Sequence, residues 1–201
     1  MSGWLDERQR NGGIDEVPLP GGAAGRLWLC GKHLIGPDPE AVVERVGADA
    51  VVCLNPRHEL AGRYDDYLGW LAVEADQSPD DAGVGMIGAP AVETDQLPDD
   101  ALDGRTTRCA RVWFPIADLH APDAAGMAPL LDDLQARLAA GQTLVVHCGA
   151  GIGRAGTVAA ALLIGLGESL DDALATVAAS RPMAGPQDPS QLALLRELSA
   201  R

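Results

Sequence analysis

An α/β fold, with a central mostly parallel sheet flanked by helices and a helical C-terminal part, is predicted by three observations. Short apolar runs recur at 25–31, 48–55, 108–116 and 142–148, and short apolar runs between turn signals are the pattern of buried strands. Segments with helical spacing alternate with these runs, which places helices on the faces of a sheet. After the fourth run the chain carries only helix-like segments.

Residues 1–24 are punctuated by glycine and proline and are expected to form a partly flexible N-terminal segment, ordered only towards its end. The folded domain is expected to span 25–201. Its first strand is "GRLWLCG" (25–31), followed by a short helix, "DPEAVVERVG" (38–47), with an acidic, proline-containing start and a glycine stop. "ADAVVCLN" (48–55) is a strand ended by Pro56, and "DDYLGWLAV" (65–73) a helix weakened by Gly69. Residues 74–107 carry Asp, Pro, Gly and Thr without periodicity, as expected for a long loop insertion. "RCARVWFPI" (108–116) is the third strand. Met127, Leu130, Leu131, Leu134 and Leu138 then mark a helix over 123–140 that Gly141 closes. "QTLVVHC" (142–148) is the last strand, and helices are predicted over 154–166, 169–180 and 189–200.

Hydrophobic residues make up 47% of the 201-residue chain, enough for a buried core. The formal net charge is −14 and Lys32 is the only lysine. An acidic surface repels polyanions, so nucleic acid and anionic membrane are not expected as partners. An anionic ligand must then be held by locally arranged donors. Cys30, Cys53, Cys109 and Cys148 form neither a CxxC pair nor a zinc pattern, which points to free thiols in a reducing cytoplasm. Neither a signal peptide nor an apolar run of membrane-spanning length stands out.

The chemistry concentrates in "LVVHCGAGIGRAGT" (144–157). The turn from a parallel strand into a helix is an anion site, because the first amides of the helix lack partners and its dipole adds positive charge. Gly149, Gly151 and Gly153, with Ala150 and Ile152 between them, let several amides converge on one point. Arg154 adds a planar fork suited to two phosphate oxygens. Cys148 at the foot of this cradle is in a field that favours the nucleophilic thiolate. An inert buried cysteine is the alternative reading, and it leaves the glycines and Arg154 unexplained. His147 is directed to the opposite face from Cys148, so it braces the loop from behind or is a satisfied core histidine. Asp118 ends the preceding apolar run and is the candidate proton donor to a leaving oxygen. A solvated loop carboxylate is its alternative, and Asp123 reads as a helix cap. Tyr64, Tyr67 and Trp70 read as one packed helix face.

"VVHCGAGIGRAGT" resembles the HCxxGxxR signature of the cysteine-dependent protein phosphatases, in the dual-specificity branch. "FPIADLHAPD" (114–123) is similar to the general-acid loop of the kinase-associated phosphatase group, as is "CLNPRHEL" (53–60) to its strand and turn. "RPMAGPQDPSQ" (181–191) resembles the segment that carries glutamines near the site. The resemblance covers about 25–200 and implies a protein-tyrosine-phosphatase-like fold. It implies hydrolysis of phosphotyrosine, and of phosphoserine or phosphothreonine, through a cysteinyl-phosphate, with a phosphorylated protein as partner and no cofactor or metal. Cys148, Arg154 and Asp118 would be catalytic, residues 149–154 would bind phosphate, and His147, Gln187 and Gln191 would support them. Gln187 and Gln191 position water or merely start the last helix. Arg57 and Arg181 line the mouth or are solvated. Cys53 is a resolving cysteine for Cys148 or core packing. The family usually has Ser or Thr after the loop arginine, where this chain has Ala155. A weakly catalytic phosphoprotein-binding module therefore stays open, as does a sulfurtransferase, which the Asp118 loop disfavours.

Overall fold

In the computed structural model, residue 8 and residues 10–72 and 109–201 are described. The expected insertion at 74–107 lies outside the described residues. Five strands, β1 (Ile14–Val17), β2 (Arg26–Gly31), β3 (Ala50–Cys53), β4 (Ala110–Trp113) and β5 (Thr143–Cys148), form one sheet in the order β1-β2-β5-β3-β4. All neighbours are parallel except β1, which runs antiparallel to β2. The helices are α1 (Lys32–Ile35), α2 (Pro39–Val46), α3 (Asp65–Ala72), α4 (Ala124–Ala139), α5 (Gly153–Gly165), α6 (Leu170–Ser180) and α7 (Pro189–Ser199).

Every residue of β3 and β5 is buried. Both strands are covered on two faces, which is why they read as unbroken apolar runs rather than alternating ones. Val52, Leu144, Val146 and Cys148 join the core beneath α4 and α5. Val51, Cys53 and Val145 join the opposite core with Val42, Tyr67 and Leu68 of α2 and α3. Side-chain caps set the helix starts. Asp38 accepts from the Ala41 amide, Asp123 from Gly126, Ser169 from Asp172 and Asp188 from Ser190. Among the described residues, no helix is long and apolar enough to cross a membrane.

Two elements escape the sequence reading. β1 is four residues long and sits among glycines, and α1 is a single turn, too short for any periodicity to show. The apolar runs at 48–55 and 108–116 also overstate their strands. Their ends leave the ladder but stay attached to it, through Leu54 N–H to the His147 carbonyl at 3.0 Å and Ile116 N–H to the Leu54 carbonyl at 3.0 Å.

The register explains the location of the site. Cys30, His147 and Cys53 lie level across β2, β5 and β3, with Trp113 level on β4. The carboxyl ends of four parallel strands thus open onto one edge, and β5 is flanked there by strands from both directions of the winding, the usual place for a binding crevice.

Helix α5 approaches the 181–188 segment through Gly156, where an added Cβ would lie 2.3 Å from the Gly185 nitrogen. Gly156→Val is expected to cost about 1–3 kcal/mol through this overpacking, read as a lowered denaturation midpoint with an unchanged m-value.

Candidate active site

β5 ends at Cys148, whose side chain is 2% exposed, and α5 begins at Gly153. The turn between them is held through its carbonyls. The Gly149 carbonyl accepts from Lys32 N–H at 3.1 Å, the Ala150 carbonyl from Arg181 Nη2 at 2.8 Å, and the Ile152 carbonyl from Gly185 N–H at 3.3 Å. A trans peptide directs its C=O and the next N–H to opposite sides. Outward carbonyls therefore turn the amides of Ala150, Gly151 and Gly153 back across the loop. Gly151 has φ +73, and a Cβ there would lie 2.3 Å from the Cys30 carbonyl oxygen, so only glycine fits. The result is a turn with inward-facing amides between a cysteine and a helix start, an arrangement that suits a tetrahedral anion.

Arg154 is 4% exposed and clamped on several sides. Its Nη1 donates to Glu59 Oε1 at 2.7 Å and to the Ile116 carbonyl at 2.8 Å, and Nη2 donates to Glu59 Oε2 at 2.9 Å. Nη2 is also 3.1 Å from Asp118 Oδ1. Burial works against the guanidinium charge, but the Glu59 hydrogen bonds and the neighbouring negative groups outweigh it and raise the Arg154 pKa. In the same way burial of Glu59 is outweighed by the hydrogen bonds from Arg154 and Asn55, which hold its carboxyl below the usual range. Asn55 Nδ2 reaches Glu59 Oε2 at 2.7 Å, and Lys32 Nζ reaches the Glu59 carbonyl at 2.8 Å. Glu59 was not singled out in the sequence. Its signal was position, on the turn that follows β3 at the same sheet edge as Cys148.

Asp118, 72% exposed at its side chain, projects from the loop after β4. That loop is tied to the start of α7, since Gln191 Nε2 donates to the His120 carbonyl at 3.2 Å and Ala121 N–H to Ser190 Oγ at 3.2 Å. The Gln191 amide oxygen accepts from Gln187 N–H at 2.8 Å. Gln191 is buried and occupied at both ends, whereas Gln187 lies against Gly153, whose missing Cβ would be 3.0 Å from Gln187 Cγ.

His147 is fully buried and its Nε2 meets the Tyr67 hydroxyl at 2.5 Å. Tyr67 stacks on Trp70 at 5.7 Å, and Tyr64 packs in the same core, so the three aromatics form a structural face. Ala155 is fully buried, and Thr157 Oγ1 donates to the Gly153 carbonyl at 2.8 Å, away from the position a hydroxyl at 155 would hold.

Two alternatives left open by the sequence are narrowed. Arg181 is not a solvated surface arginine. It is 3% exposed and bonded to the Gly13 and Ala150 carbonyls and to Asp15 Oδ2 at 2.6 Å, while Arg57 is exposed. Cys53 shares the face of His147, not of Cys148. Cys30, Cys53 and Cys109 all belong to the core opposite Cys148. Burial pushes the Cys30 and Cys53 thiols up to about 12, so both remain protonated packing groups.

The sequence of residues 91–201 matches the family described as "PTP-SAK: Swiss Army Knife protein, DSP-PTPase phosphatase domain". The chain therefore belongs to this family of cysteine-dependent dual-specificity phosphatases. Solved structures agree with the fold. Tk-PTP in its active form is 25% identical, with a TM-score of 0.56 over 88% of this chain and 91% of that one. Kinase associated phosphatase with its catalytic cysteine replaced by serine gives 0.63 at 20% identity, over 94% and 97%. The human tyrosine phosphatase-like serine/threonine/tyrosine-interacting protein gives 0.59 at 17% identity, over 93% and 95%. No curated protein matches by sequence.

Two measurements test this arrangement. Burial, with a smaller contribution from Arg154, lowers the His147 pKa from 6.5 to about 3. The unfolded chain therefore takes up a proton on this residue first as pH falls. Stability should be complete above about pH 6.5 and decline from there towards pH 3, with a shallower slope in His147→Asn, read from denaturant midpoints across pH. Peroxide should drive Cys148 to sulfenic and sulfinic acid without an intramolecular disulfide, read by mass spectrometry, because no other thiol shares its face.

Proposed function

We propose that this chain is a protein phosphatase that hydrolyses phosphotyrosine, and phosphoserine or phosphothreonine as further substrates, through a cysteinyl-phosphate. The observation that carries this reading is the joining of Cys148, the inward amides, Arg154 and Asp118 at one sheet edge, with Arg154 and Asp118 3.1 Å apart. In the proposed reaction the phosphoryl oxygens are held by the amides of residues 149–154 and by Arg154, and the Cys148 thiolate attacks phosphorus in line. A P–S bond forms as the P–O bond to the leaving group breaks, and Asp118 gives its proton to the departing oxygen. A dianion drawing on Arg154 Nη2 competes with Asp118 for that donor and releases the carboxyl towards the leaving group. Water then attacks phosphorus, Asp118 takes its proton, and the thiolate departs. Gln187, beside Gly153, positions that water, while Gln191 keeps Gln187 and the acid loop in place.

The preference for phosphotyrosine draws on Leu119 and Met183. Among the described residues they are the exposed large hydrophobics, at 52% and 71%. Both hold positive φ, +56 and +70, which costs a residue with a Cβ about 1–3 kcal/mol. Leu119 follows Asp118, and the Met183 carbonyl accepts from Gln187 Nε2 at 3.1 Å. Exposed apolar residues next to Asp118 and bonded to Gln187 suit an aromatic leaving group.

A second reading, a module that mainly holds its phosphorylated partner, draws on Ala155. Without a hydroxyl beside the sulfur, the leaving thiolate of the second step loses a charge-assisted hydrogen bond of about 1.5–3 kcal/mol. Turnover of p-nitrophenyl phosphate decides between the two. Activity lost in Cys148→Ser and reduced about 10²–10⁴-fold in Asp118→Asn supports the enzyme. A burst of p-nitrophenol followed by a slow steady state, accelerated about tenfold by Ala155→Ser, is expected from the missing hydroxyl. Phosphopeptide binding without any burst would establish the binding module instead.

A further inference from the structure

The turn that carries Asp118 is built against its own backbone preference. His120 N–H donates to the Ala117 carbonyl at 3.2 Å, which closes a four-residue turn with Asp118 and Leu119 at its centre. Leu119 holds φ +56 in that turn. A positive φ at the third position marks the turn whose central peptide is flipped relative to the common form, and it ordinarily takes glycine or asparagine. A leucine there favours the unflipped turn, so a further contact must hold the Asp118–Leu119 peptide in place.

The His120 ring makes that contact. Its Nδ1 lies 2.7 Å from the Asp118 carbonyl oxygen. A carbonyl only accepts, so Nδ1 carries the proton and donates. The carbonyl it engages belongs to the flipped peptide itself. His120 is anchored in turn from α7. Its own carbonyl accepts from Nε2 of the buried Gln191 at 3.2 Å, and the next amide, Ala121 N–H, donates to Ser190 Oγ at 3.2 Å. Asp188, which caps α7 and accepts from Ser190 Oγ at 2.7 Å, is held below the usual carboxylate range by the Ser190 hydrogen bonds and in smaller part by the nearby His120. A line of contacts therefore runs from the start of a helix, through an imidazole, to the backbone of Asp118.

We propose that His120 is a positioning residue for Asp118: its ring locks the strained turn and keeps the carboxyl aimed once the substrate has engaged Arg154. The proposal rests on the phosphatase reading, in which Asp118 protonates the leaving oxygen. The exposed Asp118 carboxyl meets Arg154 Nη2 at 3.1 Å. A phosphoryl group that draws on the same donor removes that contact, and the aim of the acid then depends on the backbone beneath it. His120 acts on that backbone and not on the substrate.

The test compares kcat/KM of the full chain on phenyl phosphate and p-nitrophenyl phosphate. This ratio reports the first step, in which the acid acts, and is blind to a slow loss of phosphate from Cys148. Phenolate is the more basic leaving group and depends more on the acid. His120→Ala should lower kcat/KM for phenyl phosphate about fivefold, the worth of one hydrogen bond of about 1 kcal/mol, and for p-nitrophenyl phosphate by less. His120→Asn, whose side-chain amide can reach the same carbonyl, should restore the phenyl phosphate value. In an Asp118→Asn background, His120→Ala should have no further effect, because it acts only through the acid. Equal losses on both substrates, no loss on either, a loss that persists in His120→Asn, or a further loss in the Asp118→Asn background overturns the proposal. Loss of p-nitrophenyl phosphate turnover in Cys148→Ser reports separately on the phosphatase reading. If the unmodified chain shows no turnover, hydrogen exchange of the residue 120 amide reads the lock directly. Exchange about fivefold faster in His120→Ala and unchanged in His120→Asn supports it, and equal exchange in all three chains overturns it.

Discussion

One buried guanidinium holds the candidate site together. Arg154 joins the turn after β3 through Glu59, the loop after β4 through the Ile116 carbonyl and Asp118, and its own helix α5. A charge this deep is costly unless it is paired and hydrogen-bonded, and here two parallel bonds to one carboxylate fix the plane of the fork. Glu59 is fixed in turn by Asn55 and by Lys32. The alignment of Arg154 is thus decided by residues outside the turn that carries Cys148. Removing Glu59 would leave the charge buried and its plane unspecified, a larger loss than the deletion of one contact suggests.

The same logic reconciles an acidic chain with an anionic ligand. Net charge governs the far field, which salt screens within roughly 10 Å, whereas the near field at Cys148 is made by amides, a helix start and Arg154. Arg181 adds a buried guanidinium behind the turn, paired with Asp15 of the short strand β1. β1 therefore does more than widen the sheet. It places the counter-charge that lets Arg181 hold the Ala150 carbonyl from behind.

Much of this was legible in the residues. Buried parallel strands announce themselves as unbroken apolar runs, and the order of strand, glycines and arginine marked where β5 turns into α5. The helix starts were legible because their caps are local, as at Asp123 and Ser169. What was not legible depends on contacts distant in sequence. Glu59 meets Arg154 across 95 positions and Arg181 meets Asp15 across 166, and no local pattern encodes either pairing. Cys53 shows the other limit. The sequence placed it on a strand beside that of Cys148, but facing is decided by register, and a single-residue offset puts it level with His147 and in the opposite core cluster from Cys148.

The contact of Gly151 with the Cys30 carbonyl has a consequence for recognition. A turn wedged against β2, with its carbonyls engaged by Lys32, Arg181 and Gly185, has no slack left to lose. The conformational entropy of gathering those amides is surrendered when the chain folds, so under the proposed reading a dianion would not have to supply that ordering on binding. Sluggishness in such a protein would then originate in how the captured phosphoryl group is let go, and not in how it is taken up.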